Sequence, residues 1–360
     1  MSKPPLRVID SGVLDGRLHI AYGQALIEGH DAGTTPDTLR FLRFPPTALV
    51  GRHQGLSREI NVDYCKANGI GTARRITGGG AIYLDEGQVG WELVIHKDRI
   101  GTARLDAVTE KICTSVAKGL SALGVDVVFR PRNDLEVDGR KISGTGGFFD
   151  GDTLFFQGTV LVDMKPEVMM GALNIPAAKL AKKNLKSGAD RVTTLKALMG
   201  DNVPDLQDIQ AAVVTGLSEG LGLAAEHKGD FTADENAVAR TIYEDEIGRD
   251  SFVFEIDNPE GDRDVWTGSV TGRGGTISAH VRFEGALGDR IREIVFTGDF
   301  FATPPRLIYD LEASLRGEFM ADADKALRAF FDKAPVEVLT ASPDEFLSAL
   351  EAAYDAKENA

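Results

Sequence analysis

Residues 73–87, ARRITGGGAIYLDEG, place two arginines and three consecutive glycines directly before a short apolar run. A glycine inside regular structure costs about 0.5–1 kcal/mol of stability relative to alanine. Three in a row are therefore expected where the backbone bends unusually or where another group approaches it closely. A flexible loop between two strands would also accommodate them, and the triplet alone leaves both interpretations open.

The composition predicts an ordinary soluble protein of two domains. The chain has 360 residues, of which 42% are hydrophobic and 26% charged, and a domain typically takes about 100–200 residues. No apolar run approaches the roughly 20 residues that cross a bilayer, and the N-terminus lacks a signal-peptide core. Only two cysteines, Cys65 and Cys113, are present, which fits a reducing cytoplasm. The net charge of −15 argues against a nucleic-acid partner.

Up to about residue 200, strand-like and helical patterns alternate. Residues 47–51 and 90–96 are predicted strands because of their β-branched and aromatic content. One helix is predicted from an apolar stripe at helical spacing, with Cys113 packing beside it. The stripe consists of Leu105, Val108, Ile112, Val116, Leu120 and Leu123.

Asp138 and Gly139 predict a β-hairpin, because a type I′ turn needs positive φ at both central positions. Lys141 then lies just after the turn, near the start of the returning strand. A lysine in such a place is commonly just solvated, so the hairpin alone does not make it functional.

The second unit begins after two acidic stretches, 243–250 and 257–264, which are predicted to be linker and turn. Three strands, 265–272, 276–285 and 290–298, precede three helices at about 306–317, 321–332 and 343–354. Asp322 and Ser342 are predicted N-caps of the last two helices. We therefore expect two domains, 1–246 and 251–356, in an α+β fold with α/β-like alternation in the first.

Several kinds of chemistry lack their motifs. Phe149 stands where a dinucleotide fingerprint needs its third glycine, and no P-loop lysine follows a glycine cluster. The six histidines show no metal-ligand spacing, and no Gly-x-Ser-x-Gly elbow occurs. What remains is glycine-rich backbone, two arginines and a hairpin lysine. That set suits the binding of a phosphate or an acyl-phosphate, whose oxygens accept from backbone N–H groups and cationic side chains.

The chain resembles the lipoate–protein ligase A family almost from end to end. The motifs carrying the resemblance are HIAYGQALIE (19–28), VGRHQGLSREIN (50–61), RRITGGGAIYLDEG (74–87), RNDLEVDGRKISG (132–144), LAKKNLKSGADRVTTL (180–195) and the accessory-domain segment at 291–317. The resemblance implies the mixed β-sheet core of biotin and lipoate ligases, flanked by helices, with a small C-terminal α+β domain.

The resemblance also implies a two-step reaction. Lipoate attacks the α-phosphate of ATP to give lipoyl-AMP, and a lysine of a carrier protein then displaces AMP. The motif match assigns nucleotide binding to Arg75 and to the backbone of four residues, Gly80, Ala81, Ile82 and Tyr83. It implies that Gly78 and Gly79 let the loop close over the acyl-adenylate. Lys141 would bridge the phosphate and the acyl oxygen as charge develops there.

Two weaker assignments follow from the same motifs. Asn133 and Asp134 precede the lysine and are expected to bind the nucleotide, and Asp134 is the expected ligand of the Mg²⁺ that accompanies ATP. The basic cluster of Lys182, Lys183 and Lys186 is either a solvated helix face or a flap attracting triphosphate. The sequence also departs from the family's usual pattern at Leu84, Gln88 and Gln157, where His, Asn and His are common; these departures leave substrate details open.

Three alternatives remain beside the ligase. An octanoyl or lipoyl transferase on the same scaffold would pass the acyl group through a cysteine, but Cys65 and Cys113 lie at neither of the usual positions. A biotin ligase would carry a Gly-Arg-Gly-Arg-x-Gly-type loop, which RRITGGG does not match. A non-catalytic protein that binds a lipoyl carrier would have little reason to keep Arg75 and Lys141.

The sequence does not identify the carrier, which could be one of three kinds. Lipoyl domains of 2-oxoacid dehydrogenases, a glycine-cleavage carrier and a lipoate-binding protein of sulfur metabolism are all compatible with the resemblance. No membrane partner is expected.

Overall fold

The computed structural model describes residues 3–174, 191–226, 229–261, 264–272, 275–333, 337–339 and 341–360. The chain divides into a large unit, residues 1–49, 59–74 and 81–253, and a small unit, residues 50–58, 75–80 and 254–360. The glycine triplet thus belongs to the small unit. The lysine cluster of Lys182, Lys183 and Lys186 lies outside the described residues.

The strands follow the chain in this order: β1 Pro5–Val13, β2 Thr38–Arg43, β3 Thr47–Val50, β4 Gly71–Arg74, β5 Ile82–Leu84, β6 Gln88–His96, β7 Val128–Arg130, β8 Asp134–Val137, β9 Arg140–Asp150, β10 Thr153–Leu161, β11 Ala224–Glu226, β12 Trp266–Thr271, β13 Thr276–Glu284, β14 Arg290–Gly298, β15 Ala302–Thr303 and β16 Glu337–Val338. The α-helices are α1 Gly16–Asp31, α2 Leu56–Glu59, α3 Val62–Ala67, α4 Leu105–Ser121, α5 Pro166–Ala172, α6 Leu195–Met199, α7 Leu206–Leu221, α8 Ala233–Ile242, α9 Asp250–Val253, α10 Leu307–Leu315, α11 Met320–Lys333 and α12 Pro343–Glu358.

The centre of the large unit is an eight-stranded sheet with the order β11-β1-β2-β6-β10-β9-β8-β7. β1 is parallel to β2 and β11, whereas the remaining neighbours are antiparallel. The predicted mixed sheet is therefore confirmed. A smaller sheet has the order β4-β3-β5.

Helices α4 and α7 cover one face of the large sheet. The predicted apolar stripe forms α4, and Val108, Ile112, Val116 and Leu120 are fully buried against strand residues such as Trp91. Burying each such aliphatic side chain contributes about 1.5–3 kcal/mol. The predicted helix is confirmed, and its buried stripe packs against the large sheet.

The hairpin prediction is confirmed as well. β8 and β9 pair in antiparallel fashion, and Asp138 and Gly139 between them have φ of 49° and 74°. This turn positions Lys141 as the second residue of β9.

The small unit has its own core. β12, β13 and β14 form an antiparallel sheet, and the buried Phe296, Phe300 and Phe346 pack with residues of α10, α11 and α12. Ser342 caps α12 in a capping box with Glu345, as predicted for the cap. The three predicted strands and three predicted helices of this unit are confirmed.

Two local predictions are wrong. Asp322 lies inside the first turn of α11, which begins at Met320, so its carboxylate complements the helix dipole instead of capping the end. The acidic stretch 243–250 is largely helical, because α8 continues into a π-helical turn at Tyr243–Ile247. No helix among the described residues is both long and apolar enough to span a membrane.

Candidate active site

The hairpin lysine is held by a carboxylate of the preceding strand. Lys141 Nζ lies 2.7 Å from Asp134 Oδ1, with about a third of the Lys141 side chain exposed. Gly144 on β9 leaves room for this ammonium, because a Cβ there would lie 2.7 Å from Nζ. The structure thus brings Lys141 and Asp134 together as an ion pair that solvent can reach.

Asn133 fastens the start of this hairpin. Its side-chain amide donates to the carbonyl oxygen of Thr145 over 2.6 Å, and its own carbonyl accepts from the backbone N–H of Thr145 over 2.9 Å. The side chain is thereby committed to the backbone of β9. The predicted contact of Asn133 with a nucleotide stays a prediction.

Arg75 clamps the glycine loop. The guanidinium is buried, and Nη2 donates to the carbonyl oxygens of Gly78 and Gly80 over 3.1 and 2.9 Å. Burial lowers the pKa of Arg75 to about 10, while the Asp299 carboxylate opposes that shift. At neutral pH the side chain still carries its positive charge.

The glycines are needed because a segment of the small unit presses on them. A Cβ at Gly78 would collide with the carbonyl oxygen of Phe300, which accepts a hydrogen bond from the Gly79 N–H over 3.2 Å. Gly79 has φ of +91°, and a Cβ there would lie 2.7 Å from Cζ of Phe301. The loop therefore follows the close-approach interpretation, and the approaching group is Asp299–Phe301.

Three further predicted residues lie at β5 of the large unit. Ala81 precedes the strand, and Ile82 and Tyr83 pair with Leu49 and Ala48 of β3. Burial, followed by the Asp85 carboxylate, raises the pKa of the Tyr83 phenol. Tyr83 is thus a neutral, packed residue whose backbone belongs to a sheet.

The candidate residues therefore form separate groups within the two units. Asn133, Asp134 and Lys141 are adjacent on the β8–β9 hairpin of the large unit. Arg75 and the residues from Gly78 to Gly80 form one loop of the small unit.

Sequence reasoning missed the support of the glycine loop by Asp299, Phe300 and Phe301. Gln54 links this segment to the motif at 50–61: its Oε1 accepts from the Gly51 N–H over 2.9 Å, and its Nε2 donates to Asp299 Oδ1 over 3.0 Å. The resemblance quoted the Gln54 motif, but nothing in the sequence indicated its partner.

Both cysteines are poor nucleophiles. Cys65 and Cys113 are 1% and 0% exposed. Burial raises the pKa of Cys65 and raises that of Cys113 to about 12. The thiolate is the reactive form of cysteine, and a raised pKa leaves little of it at neutral pH. The burial of Cys113 in the core of the large unit confirms the prediction that it is a packing residue.

Comparison with protein families identifies a model that covers more than half of the chain. The lipoyl protein ligase A/B catalytic domain matches residues 15–218. The lipoate-protein ligase LplJ of Bacillus subtilis is 30% identical over 198 residues, 55% of this chain and 58% of that protein. The octanoyltransferase LipM of Geobacillus kaustophilus is 26% identical over 275 residues, 68% of this chain and 97% of that protein. Relatives of both activities are therefore similar to this chain.

Solved structures show the same fold. LipL1 of P. falciparum in complex with lipoate superposes with a TM-score of 0.70 at 16% identity, covering 96% of this chain and 99% of that one. A bi-partite lipoate protein ligase from Thermoplasma acidophilum, described with its E2 lipoyl domain, superposes with a TM-score of 0.62 at 24% identity. The superposition covers 71% of this chain and 98% of that one. A lipoate-protein ligase A bound with ATP superposes with a TM-score of 0.60 at 22% identity, covering 71% of this chain and 100% of that one. At these identities the likeness establishes the fold class.

Proposed function

This chain belongs to the lipoyl protein ligase A/B catalytic-domain family, and from that membership we propose that it is an ATP-dependent lipoate–protein ligase. It activates lipoate as lipoyl-AMP and transfers the lipoyl group to a lysine amine of a lipoyl-carrier protein. Because its relatives include lipoate ligases and octanoyltransferases, the proposal depends on evidence that separates the two.

The observation that best supports the proposal is that both cysteine thiols are buried and have raised pKa values. A transferase that passes the acyl group through cysteine needs an accessible sulfur with a useful thiolate fraction. The whole chain has two cysteines, and both are buried with raised pKa values. Activation by adenylation needs no thiol, so this site favours the ligase.

Lys141 supplies the charge that both half-reactions require. In the first, a lipoate oxygen attacks the α-phosphorus of ATP and pyrophosphate leaves. In the second, the carrier's amine attacks the acyl carbon, an oxyanion develops and AMP leaves. An ammonium placed between phosphate and acyl oxygen stabilises both transition states, and Asp134 at 2.7 Å holds that ammonium on the hairpin.

Arg75, Gly80 and the backbone from Ala81 to Tyr83 are proposed to bind the nucleotide. A related fold is known with ATP bound, and backbone N–H groups beside a guanidinium suit phosphate oxygens. Gly78 and Gly79 give this loop its shape, and Asn133 fixes the base of the Lys141 hairpin.

Asp134 fits the Mg²⁺ that accompanies ATP. Mg²⁺ commonly takes one or two carboxylates together with phosphate oxygens, and Asp134 is a carboxylate next to the proposed phosphate-binding Lys141, 2.7 Å from its Nζ. The described part of the chain contains no cluster of three His, Cys, Asp or Glu for an all-protein metal site. The ion would neutralise triphosphate charge.

The carrier is proposed to be a lipoyl domain, a glycine-cleavage carrier or a lipoate-binding protein. The Thermoplasma ligase, described together with an E2 lipoyl domain, supports this class of partner. Two free cysteines support a cytoplasmic location, since reducing compartments keep thiols free.

The test compares acyl donors. Purified protein is incubated with candidate carriers and either lipoate, ATP and Mg²⁺ or an octanoyl thioester without ATP, and the carriers are weighed by mass spectrometry. The ligase predicts a mass gain of one lipoyl group only in the first mixture. A mass gain from the thioester alone would establish the transferase instead.

A further inference from the structure

The segment 192–196 supplies a second backbone neighbour for the hairpin lysine. β10 pairs with residues 145–150 of β9, whereas Lys141 lies near the start of that strand. There Val192 forms a parallel bridge with Lys141, and the Thr193 N–H donates to the Lys141 carbonyl oxygen over 2.8 Å. Since β8 occupies one edge of β9 at this point, Lys141 is held between β8 and the segment 192–196.

This neighbour matters because β9 is bulged next to the lysine. Leu135 of β8 faces Ser143 of β9, but the following residue of β8 faces Lys141, so β9 has one extra residue, Ile142. Ile142 and Ser143 are both fully buried. A Cβ at Gly144 would lie 2.7 Å from Lys141 Nζ, so these two residues share the other face. Residues three apart on a regular strand face opposite sides, and the bulge therefore sets the direction of the lysine.

The pairing with β8 does not by itself hold that direction. A bulge disrupts the strand ladder locally, and a partly exposed ion pair such as that of Lys141 with Asp134 stabilises a conformation only weakly. Thr193, in contrast, is 4% exposed. Breaking a buried hydrogen bond leaves a carbonyl without its partner, which costs more than losing a solvated contact. The Thr193 N–H is therefore the contact best suited to hold this end of β9.

The segment is itself anchored to the large unit. Leu195 is fully buried in the core, and Val192 packs against the same core. The Lys196 N–H donates to the Val162 carbonyl oxygen over 3.0 Å, and Lys196 Nζ lies 2.8 Å from Asp163 Oδ2. These contacts connect the segment to the core and to the end of β10, so it can serve as a fixed support for the lysine.

We propose that Thr193 is a positioning residue for Lys141, whose backbone it holds at the bulge so that the ammonium points toward the reacting groups. The proposal rests on the ligase function given above, in which Lys141 contacts phosphate and acyl oxygens. Thr193 acts through the backbone of the lysine and touches no substrate. A displacement of about 1 Å can cost about 100-fold in rate, so one backbone contact beside the lysine is enough to affect turnover.

The experiment removes the N–H of residue 193 in two ways. Thr193→Pro replaces it with a ring carbon, and an ester in place of the amide between Val192 and Thr193 removes the N–H alone. Lipoyl-AMP formation and transfer from supplied lipoyl-AMP should each slow by about 10- to 100-fold in both variants. The matched variant Thr193→Val keeps the N–H and should be impaired less than either. If Thr193→Val is as slow as the ester variant, the effect belongs to the side chain and the proposal is wrong.

Combination with Lys141→Ala separates positioning from general damage. Without an ammonium to direct, the ester should slow the Lys141→Ala protein by less than about twofold. An ester that slows Lys141→Ala by the same factor as wild type would overturn the proposal, because its effect would then be independent of the lysine. Urea unfolding followed by Trp91 fluorescence checks that each variant is folded, and the ester variant decides if Thr193→Pro is not.

A further measurement does not depend on turnover. Acetic anhydride acylates exposed amines, and its reaction with Lys141 is measured by mass spectrometry relative to that of Lys118, which lies in an exposed ion pair elsewhere. The ester should increase labelling of Lys141 about two- to fivefold, since losing a partly exposed ion pair has an effect of that size. Labelling equal to that of wild type would overturn the proposal, because the ammonium would have kept its place. If wild type forms no lipoyl-AMP, the ligase function is contradicted instead, and the labelling still decides the role of Thr193.

Discussion

Replacing Glu92 by glutamine should strongly destabilise the large unit, because Glu92 neutralises an arginine inside it. Arg40 is fully buried and Glu92 is 5% exposed. Arg40 donates from Nε to Glu92 Oε2 over 2.9 Å and from Nη2 to the carbonyl oxygen of His19 over 2.7 Å. Burial and the Arg40 charge lower the pKa of His19 to about 3, so the histidine stays neutral and Glu92 carries the compensation.

The magnitude follows from leaving one charge buried. Glutamine preserves the shape of Glu92 against α1, where a Cβ at Gly23 would lie 3.3 Å from Oε2, but removes the countercharge. Breaking a buried ion pair costs about 3–5 kcal/mol, which lowers the melting temperature by roughly 6–20 °C for a unit of this size. The double change Arg40→Met with Glu92→Met removes both charges. Its free energy of unfolding should therefore lie within about 1 kcal/mol of that of wild type.

Trp91 gives an assay confined to this unit. Trp91 is fully buried next to Glu92, and the other tryptophan of the chain is Trp266 of the small unit. In a Trp266→Phe background, fluorescence during urea unfolding therefore reports the large unit alone, which avoids treating two units as one transition. The reasoning would be refuted if the free energy of unfolding of Glu92→Gln lay within about 1 kcal/mol of that of its parent. It would also be refuted if the double variant were as unstable as Glu92→Gln.

Three further predictions concern the site and its surroundings. Lys141→Ala should slow both lipoyl-AMP formation and transfer from supplied lipoyl-AMP about 10²–10³-fold, whereas Lys118→Ala, which breaks an exposed ion pair with a similar 2.9 Å separation, should change neither rate. Cys65→Ser combined with Cys113→Ser should retain ATP-dependent transfer, and its loss in a folded protein would favour the transferase. Burial raises the pKa of Glu312 from 4.5 to about 7, so its stabilising contribution is complete below pH 4.5 and is lost as pH rises through 7. Unfolding measured against Glu312→Gln should therefore show wild type losing roughly 3 kcal/mol across that window, and parallel pH profiles would contradict this.

Local signals in the sequence predicted the elements that carry the hairpin lysine. Asp138 and Gly139 specify their turn through backbone sterics within two residues, and the α4 stripe specifies its buried face through spacing within one helix. Such signals need no knowledge of distant partners. Ser342 and Pro343 defined a helix start for the same reason, while Asp322 failed because an acidic residue is equally compatible with a cap and a first turn.

Features formed by distant residues could not be predicted in this way. Arg40 and Glu92 are charged and would be expected at the surface, and only the pairing of β2 with β6 makes them mutual partners inside the unit. The glycine triplet was compatible with a flexible loop or with a close approach, and the approaching residue, Phe300, is more than two hundred residues away along the chain.

Removing the C-terminal part of the small unit should abolish adenylation, because Asp299–Phe301 in that part contact the glycine loop. A chain ending near residue 246 lacks Asp299–Phe301, and with it the carbonyl that accepts from Gly79 and the ring that lies over it. It also lacks Phe252 and Val253, whose carbonyls accept from the buried Arg74. A chain ending at residue 253 keeps the latter contacts and isolates the effect on the loop.

Both truncated chains are expected to form no lipoyl-AMP from lipoate and ATP, while the longer one retains the Trp91 unfolding transition of the large unit. Gly78→Ala in the full-length protein is the matched point change, since its Cβ would displace Phe300 without removing any residue. It should reduce adenylation and leave transfer from supplied lipoyl-AMP less affected, because Arg75, which holds this loop, is proposed to bind the triphosphate of ATP. If the chain ending at 253 makes lipoyl-AMP at the full-length rate, the contact between the glycine loop and Asp299–Phe301 does not support nucleotide activation, and the small unit serves another step.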